Sequence, residues 1–99
     1  MAFPSAPRTI HPRQCRAARE VSGLTQAEVA AAIDVSASAL SLFEREKQQL
    51  PGDAMGRLIV YFMSRRIAFW LKDGTPGIYF VREDGTFSGI TIGEGVLTG

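Results

Sequence analysis

The chain holds one histidine and one cysteine, His11 and Cys15, four residues apart and so on one face of any helix that carries them. That is metal-ligand spacing, but two ligands are too few for a closed zinc site unless two subunits share it, and no metal is expected. No serine has a placed histidine and acid, no glycine-rich phosphate loop joins a strand to a helix, and no pair of carboxylates marks a cleft. The sequence points away from an enzyme, and no cofactor is implied. A lone cysteine excludes a disulfide within the chain, and Cys15 suits a small buried apolar position. The polar groups left with work to do are Gln26, Ser36, Ser38, Ser41, Arg45 and Lys47. Amides, hydroxyls and cations of this kind bond phosphate oxygens and base edges.

Short helices must position them. Pro12 suits a first helical position, His11 would cap it, and a helix over 12–21 would stop at Ser22-Gly23. Thr25-Gln26-Ala27-Glu28 is a capping box that opens a second helix running to Ile33. Ser36 caps a third helix that runs to about Arg45. Glu46 to Gly52 is a polar loop, and a fourth helix from near Asp53 to near Arg65 carries Leu58, Ile59, Phe62 and Met63 at helical spacing. Helices two and three together have the pattern of a helix-turn-helix, a geometry that places one helix in the major groove of DNA. Val29 and Ile33 face inward from helix two, and Ala30 lets the helices approach. Asp34 takes the left-handed turn position, Val35 plugs the turn, and Leu40 and Phe43 face inward from helix three. Outward lie Ala37, Ser38, Ser41, Leu42 and Arg45. Ser38 and Ser41 could bond base edges or phosphate, and Ala37 and Leu42 could touch thymine methyls. Ser36 with the N–H groups at the helix start would hold a phosphate oxygen, and Gln26, Arg45 and Lys47 are further backbone candidates.

Beyond residue 66 the pattern turns strand-like. Ile67 to Leu71 is aromatic and apolar, Lys72 to Gly77 resembles a turn, and Ile78 to Glu83 and Thr86 to Ile92 flank Asp84-Gly85. Read as a two-residue type I′ hairpin, Asp84-Gly85 pairs Arg82 with Phe87, Phe80 with Gly89 and Tyr79 with Ile90. One face then holds Tyr79, Val81, Ile90 and Ile92, and the other Ile78, Phe80 and Phe87. Helices can cover only one of two apolar faces. Phe69, Trp70, Tyr79, Phe80, Val81, Phe87, Ile90 and Ile92 are therefore the expected homodimer interface.

The marks Arg13-Gln14-Cys15-Arg16-Ala17-Ala18-Arg19, Gly23 to Ala30, Val35-Ser36, Phe43-Glu44-Arg45 and Pro51 resemble the lambda-repressor-like (Xre) family of helix-turn-helix regulators. The strand-rich tail is similar to that of a subset of the family. The resemblance implies a mainly α fold with a small β part, a four-helix helix-turn-helix domain followed by a C-terminal β-hairpin or meander. It implies a homodimer that binds double-stranded DNA at a pseudo-palindromic operator and controls transcription. It also implies an ion pair between Arg19 and Glu44. Positions 37 and 42, often basic or amide-bearing in the family, are Ala and Leu here, so a modest sequence preference or one resting on DNA shape and methyl contacts is expected.

The expected organisation is a flexible arm at 1–11, the DNA-binding domain at 12–66, a dimerising β-meander at 67–92 and a frayed tail at 93–99. Repression by occluding a promoter is the simplest mechanism. The rivals are an antitoxin that binds a toxin protein and autoregulates through DNA, and an RNA-associated or coactivator-like adaptor. Net charge is only +1, but the first 19 residues hold four arginines and no acid. With no signal peptide and no membrane-length apolar run, a cytoplasmic, nucleoid-associated protein of bacterial or phage origin is expected.

Overall fold

The computed structural model of the chain describes residues 7–92, so the start of the expected arm and the tail expected at 93–99 lie outside the described residues. Four helices, α1 (Pro12–Ser22), α2 (Gln26–Ala32), α3 (Ala37–Glu44) and α4 (Ala54–Ser64), precede three strands, β1 (Ile67–Lys72), β2 (Thr75–Val81) and β3 (Phe87–Thr91). The strands form one antiparallel sheet in the order β1-β2-β3.

Each helix boundary has a local cause. The His11 ring accepts from the Arg13 N–H, and the Gln14 side chain accepts in return from the His11 N–H at 2.8 Å. Gly23 ends α1 in the left-handed conformation, φ +69°. Thr25 and Glu28 exchange hydrogen bonds at the start of α2, and the Ser36 hydroxyl oxygen accepts from the Ala39 N–H at the start of α3. Between them Asp34 sits at φ +59°, the left-handed turn that few side chains tolerate. Glu46 and Arg66 take the same conformation just after α3 and α4.

Val29, Ile33, Leu40, Phe43, Leu58, Ile59 and Phe62 pack into one cluster with Cys15, Ala18 and Ala30. The sheet completes it: Ile67, Phe69, Ile78 and Ile92 are buried against the helices, and the Phe69 ring meets Phe62 edge-on at 6.0 Å. Ile10 belongs to the same cluster, so the last residues of the expected flexible arm are part of the core. Burying these side chains is the main drive for folding, each worth about 1.5–3 kcal/mol for the larger ones.

The sheet register departs from the sequence expectation by one residue. Val81 pairs with Phe87, Phe80 with Ser88, Tyr79 with Gly89 and Ile78 with Ile90. The cause is the turn. Asp84 Oδ1 accepts from both the Thr86 N–H and the Thr86 hydroxyl, and Gly85 alone takes positive φ. The Gly85 N–H bonds Arg82 O and the Arg82 N–H bonds Thr86 O, so the loop spans three residues with a glycine bulge. The two-residue type I′ turn lies instead at Asp73-Gly74, where both φ values are positive and Lys72 pairs with Thr75. A one-residue slip exchanges faces. The inner face of the sheet is Ile67, Phe69, Pro76, Ile78, Phe80 and Ile90, and the outer face is Ala68, Trp70, Gly77, Tyr79, Val81 and Phe87.

Candidate nucleic-acid interface

The third helix shows its two sides clearly. Leu40, Phe43 and Glu44 are buried, Ala37, Ser38 and Arg45 are exposed, and Ser41 and Leu42 are half-buried between them. Ala37, Ser41 and Arg45 follow one another at four-residue spacing and Ser38 lies three residues before Ser41, which sets them along one side of the helix. Ser36 is exposed at its start, with a hydroxyl hydrogen still free to donate while its oxygen caps the helix. Lys47 is exposed just past the end, its N–H bonded to Leu42 O. This side of the helix is uncharged up to Arg45.

Behind the exposed side of α3 lies a charge cluster. Arg19 Nε and Nη2 each donate to Glu44 at 2.9 Å, a fork-on-carboxylate geometry. Arg19 Nη1 donates to Leu24 O, the Cys15 thiol donates to Glu44 Oε2, and Gln26 Nε2 donates to Glu44 Oε1 at 3.0 Å. Burial alone would raise the Glu44 carboxyl, but the Arg19 and Gln26 donors hold it below the ordinary carboxylate range. Burial, and next the Glu44 charge, push the Cys15 thiol far up, so it stays protonated. This cluster ties α1, α2 and the end of α3 together. It also diverts Gln26: one amide hydrogen serves Glu44, and the side chain is half-buried. The other amide hydrogen and the carbonyl oxygen are what it could offer a phosphate.

His11 and Cys15 turn to separate tasks. The imidazole Nδ1 caps α1 while Nε2 lies 3.5 Å from Glu46, and burial, opposed in part by Glu46, lowers the His11 pKa. Among the described residues no group of three or more His, Cys, Asp and Glu is placed to hold a metal ion. The arginines expected to give the first helix a basic character are paired with acids: Arg13 with Glu46, Arg16 with Glu20 and Arg19 with Glu44.

Of the residues expected at a homodimer interface, Phe69, Phe80, Ile90 and Ile92 pack on the chain's own core: the one-residue register shift puts Ile90 and Ile92 on the face of Ile78 and Phe80, and Phe69 shares that face through its pairing with Ile78. Phe69 and Ile92 are buried, and Phe80 and Ile90 are half-buried. Trp70, Tyr79, Val81 and Phe87 share the outer face. There Trp70 and Tyr79 lie 6.0 Å apart and Tyr79 and Phe87 5.9 Å apart, and Phe87 is 52% exposed. The indole lies flat on Gly77, where a Cβ would come within 2.0 Å of it.

One functional contact had no reading in the sequence. Buried Gln14 sends its amide N–H groups to Trp70 O at 2.9 Å and Gly77 O at 3.0 Å, fastening α1 to the sheet. The only local signal is a glutamine three residues after a capping position.

Residues 16–62 match the family model described as helix-turn-helix. No curated protein matches the chain. Among the described residues no helix is long and apolar enough to cross a membrane. The fold, the capped turn at Asp34 and the family match agree: the domain spanning residues 16–62 belongs to the lambda-repressor-like (Xre) family of helix-turn-helix DNA-binding transcription regulators.

Proposed function

We propose that the chain is a homodimeric repressor that sets the exposed side of α3 in the major groove of a pseudo-palindromic operator. The observation that carries this reading is the position of Ala37, Ser38 and Arg45, all exposed on a helix whose opposite side is locked into the core. On this reading Ser38 and Ser41 meet base edges or phosphate, and Ala37 and Leu42 meet thymine methyls. Ser36, Gln26, Arg45 and Lys47 hold the backbone. Residues 12–66 do the binding, and the sheet of residues 67–92 brings two copies together so that two α3 helices meet successive major grooves, roughly 34–36 Å apart.

The test is fluorescence anisotropy on the gene's own upstream DNA and on random duplex, over a salt series. A true regulator prefers its operator by at least about 10³. Ser38→Glu is expected to abolish binding by setting a carboxylate beside phosphate while leaving the circular dichroism unchanged. Retained affinity in that variant would take α3 out of the groove. A second reading, an antitoxin whose DNA binding is autoregulatory, is favoured by the apolar outer face of the sheet. A stable complex with the product of an adjacent gene would decide for it.

A further inference from the structure

The two edges of the sheet are not alike. In an antiparallel ladder, alternate residues direct both N–H and C=O to one neighbour and the residues between them direct both to the other side. The Arg82 N–H bonds Thr86 O and the Ile92 N–H bonds Pro76 O, so residues 86, 88, 90 and 92 face β2. Phe87, Gly89 and Thr91 therefore aim their main-chain groups outward, and all three residues are exposed. No described residue pairs with them. The strand Phe87-Ser88-Gly89-Ile90-Thr91 has no charge and no proline, the usual devices that keep an edge from pairing. The opposite edge is different: β1 ends in Lys72, and the segment from Pro7 to Pro12 lines the same cleft as Phe69, Trp70 and Leu71.

We propose that β3 pairs antiparallel with β3 of a second copy, about a twofold axis through Gly89, making one continuous six-stranded sheet. This rests on the homodimer reading and specifies its interface. The occupant is a second copy because the strand is complementary to itself. With Gly89 opposite Gly89, Phe87 falls opposite Thr91 and Thr91 opposite Phe87. All three outward residues of each copy then enter hydrogen-bonded pairs, six bonds in all. Any shifted register leaves at least one outward residue unpaired. Gly89 suits the axis: Tyr79 lies over it, 3.1 Å from where a Cβ would stand, so the crossing point presents bare backbone on a surface already roofed by an aromatic ring. On the inner face each half-buried Ile90 gains the partner's Ser88 as its cross-strand neighbour. Residues paired across a ladder share a face, so both helical bodies lie on the same side of the joint sheet. That is the arrangement two recognition helices need to reach one duplex.

Amide hydrogen exchange on the full chain, read by NMR at low and high protein concentration beside sedimentation, tests this. The amides of Phe87, Gly89 and Thr91 are expected to become protected as the dimer forms. Thr91→Pro removes an N–H that points away from β2 and should leave the monomer's circular dichroism intact while weakening dimerisation about a hundredfold. A dimer whose three amides exchange freely, or one that Thr91→Pro leaves intact, overturns the edge pairing but keeps the homodimer. Protection of the same amides in the monomer, independent of concentration, means the chain's own residues hold the edge and overturns the proposal too. Absence of any self-association at the concentrations that saturate DNA overturns the homodimer reading itself.

Discussion

Arg19→Ala should be among the most damaging single changes outside the apolar core. Glu44 is nearly enclosed, and Arg19 supplies two of its hydrogen bonds at 2.9 Å. Removing the cation leaves a buried carboxylate with one amide donor from Gln26 and a weak thiol. Breaking a buried pair from one side costs about 3–5 kcal/mol. The Arg19 side chain is 16% exposed, which lets water approach, and the Gln26 bond survives, so the low end, about 3 kcal/mol, applies. In a domain of this size that lowers Tm by roughly 12–24 °C. The pH dependence carries its own signature. In the parent the Glu44 carboxyl lies below its ordinary value of 4.5, so its contribution is complete above that value and is lost as pH falls through the lower native one. In Arg19→Ala the same carboxyl loses its cation and burial raises it, so acid relieves the variant. The stability gap should be widest at neutral pH and narrow as pH falls. Arg19→Met combined with Glu44→Leu should return to within about 1 kcal/mol of the parent. Urea titrations at several pH values measure all three. A loss below about 1 kcal/mol at neutral pH, or a gap that does not change with pH, would refute the reasoning.

Gln14→Leu should cost about 2 kcal/mol in urea unfolding, because it removes the bonds to Trp70 O and Gly77 O and strands the His11 N–H that the Gln14 oxygen accepts. Gly77→Ala should push the indole off the sheet, since the new Cβ would stand 2.0 Å from the ring. A red-shifted emission from Trp70, the only tryptophan, and a loss of about 1–3 kcal/mol are the expected readings. Cys15 should resist thiol reagents in the native state and react only on unfolding, because burial and next the neighbouring Glu44 charge keep it a thiol. Stoichiometric labelling of the folded protein within minutes would contradict that.

What the sequence carried was local. The capping box at Thr25 and Glu28, the cap at Ser36, the stop at Gly23 and the left-handed Asp34 each depend on residues within a few positions of one another, and all are seen. The hairpins show where that reach ends. The dipeptide Asp-Gly occurs twice and folds two ways. At Asp73-Gly74 both residues take positive φ, whereas Thr86 draws the Asp84 carboxylate into a local turn and lengthens the second loop by one residue. That single residue set Ile90 and Ile92 on the core face beside Ile78 and Phe80 and left Phe87 on the outer face, against the expected pairing. Contacts between distant segments were not legible at all. Gln14 meets Trp70 and Gly77 from 56 and 63 residues away, and no periodicity links an amide on a helix to two carbonyls on a sheet.

The third helix has its charge on the inside and its neutral side out, the reverse of an ordinary surface helix. Glu44 can be buried there because Arg19 and Gln26 satisfy it, and the cluster fixes the angle at which α3 leaves the core. The same economy of charge runs along α1, where Arg13 and Arg16 face Glu46 and Glu20. Near the exposed side of α3, Arg45 and Lys47 are the cations that no salt bridge holds among the described residues. Two cations in each subunit neutralise few phosphates, so on the proposed reading the sequence-independent part of DNA affinity is small and its salt dependence shallow, with a slope of about −4 for a dimer. Binding then depends on fit: the methyl-sized Ala37, the hydroxyls of Ser38 and Ser41, and the apolar Leu42 gain only where the groove brings matching base edges to them. A rigid mount for α3 is worth more to such a surface than to one that holds DNA by charge, because short-range contacts fail within an ångström of misplacement while Coulomb attraction does not.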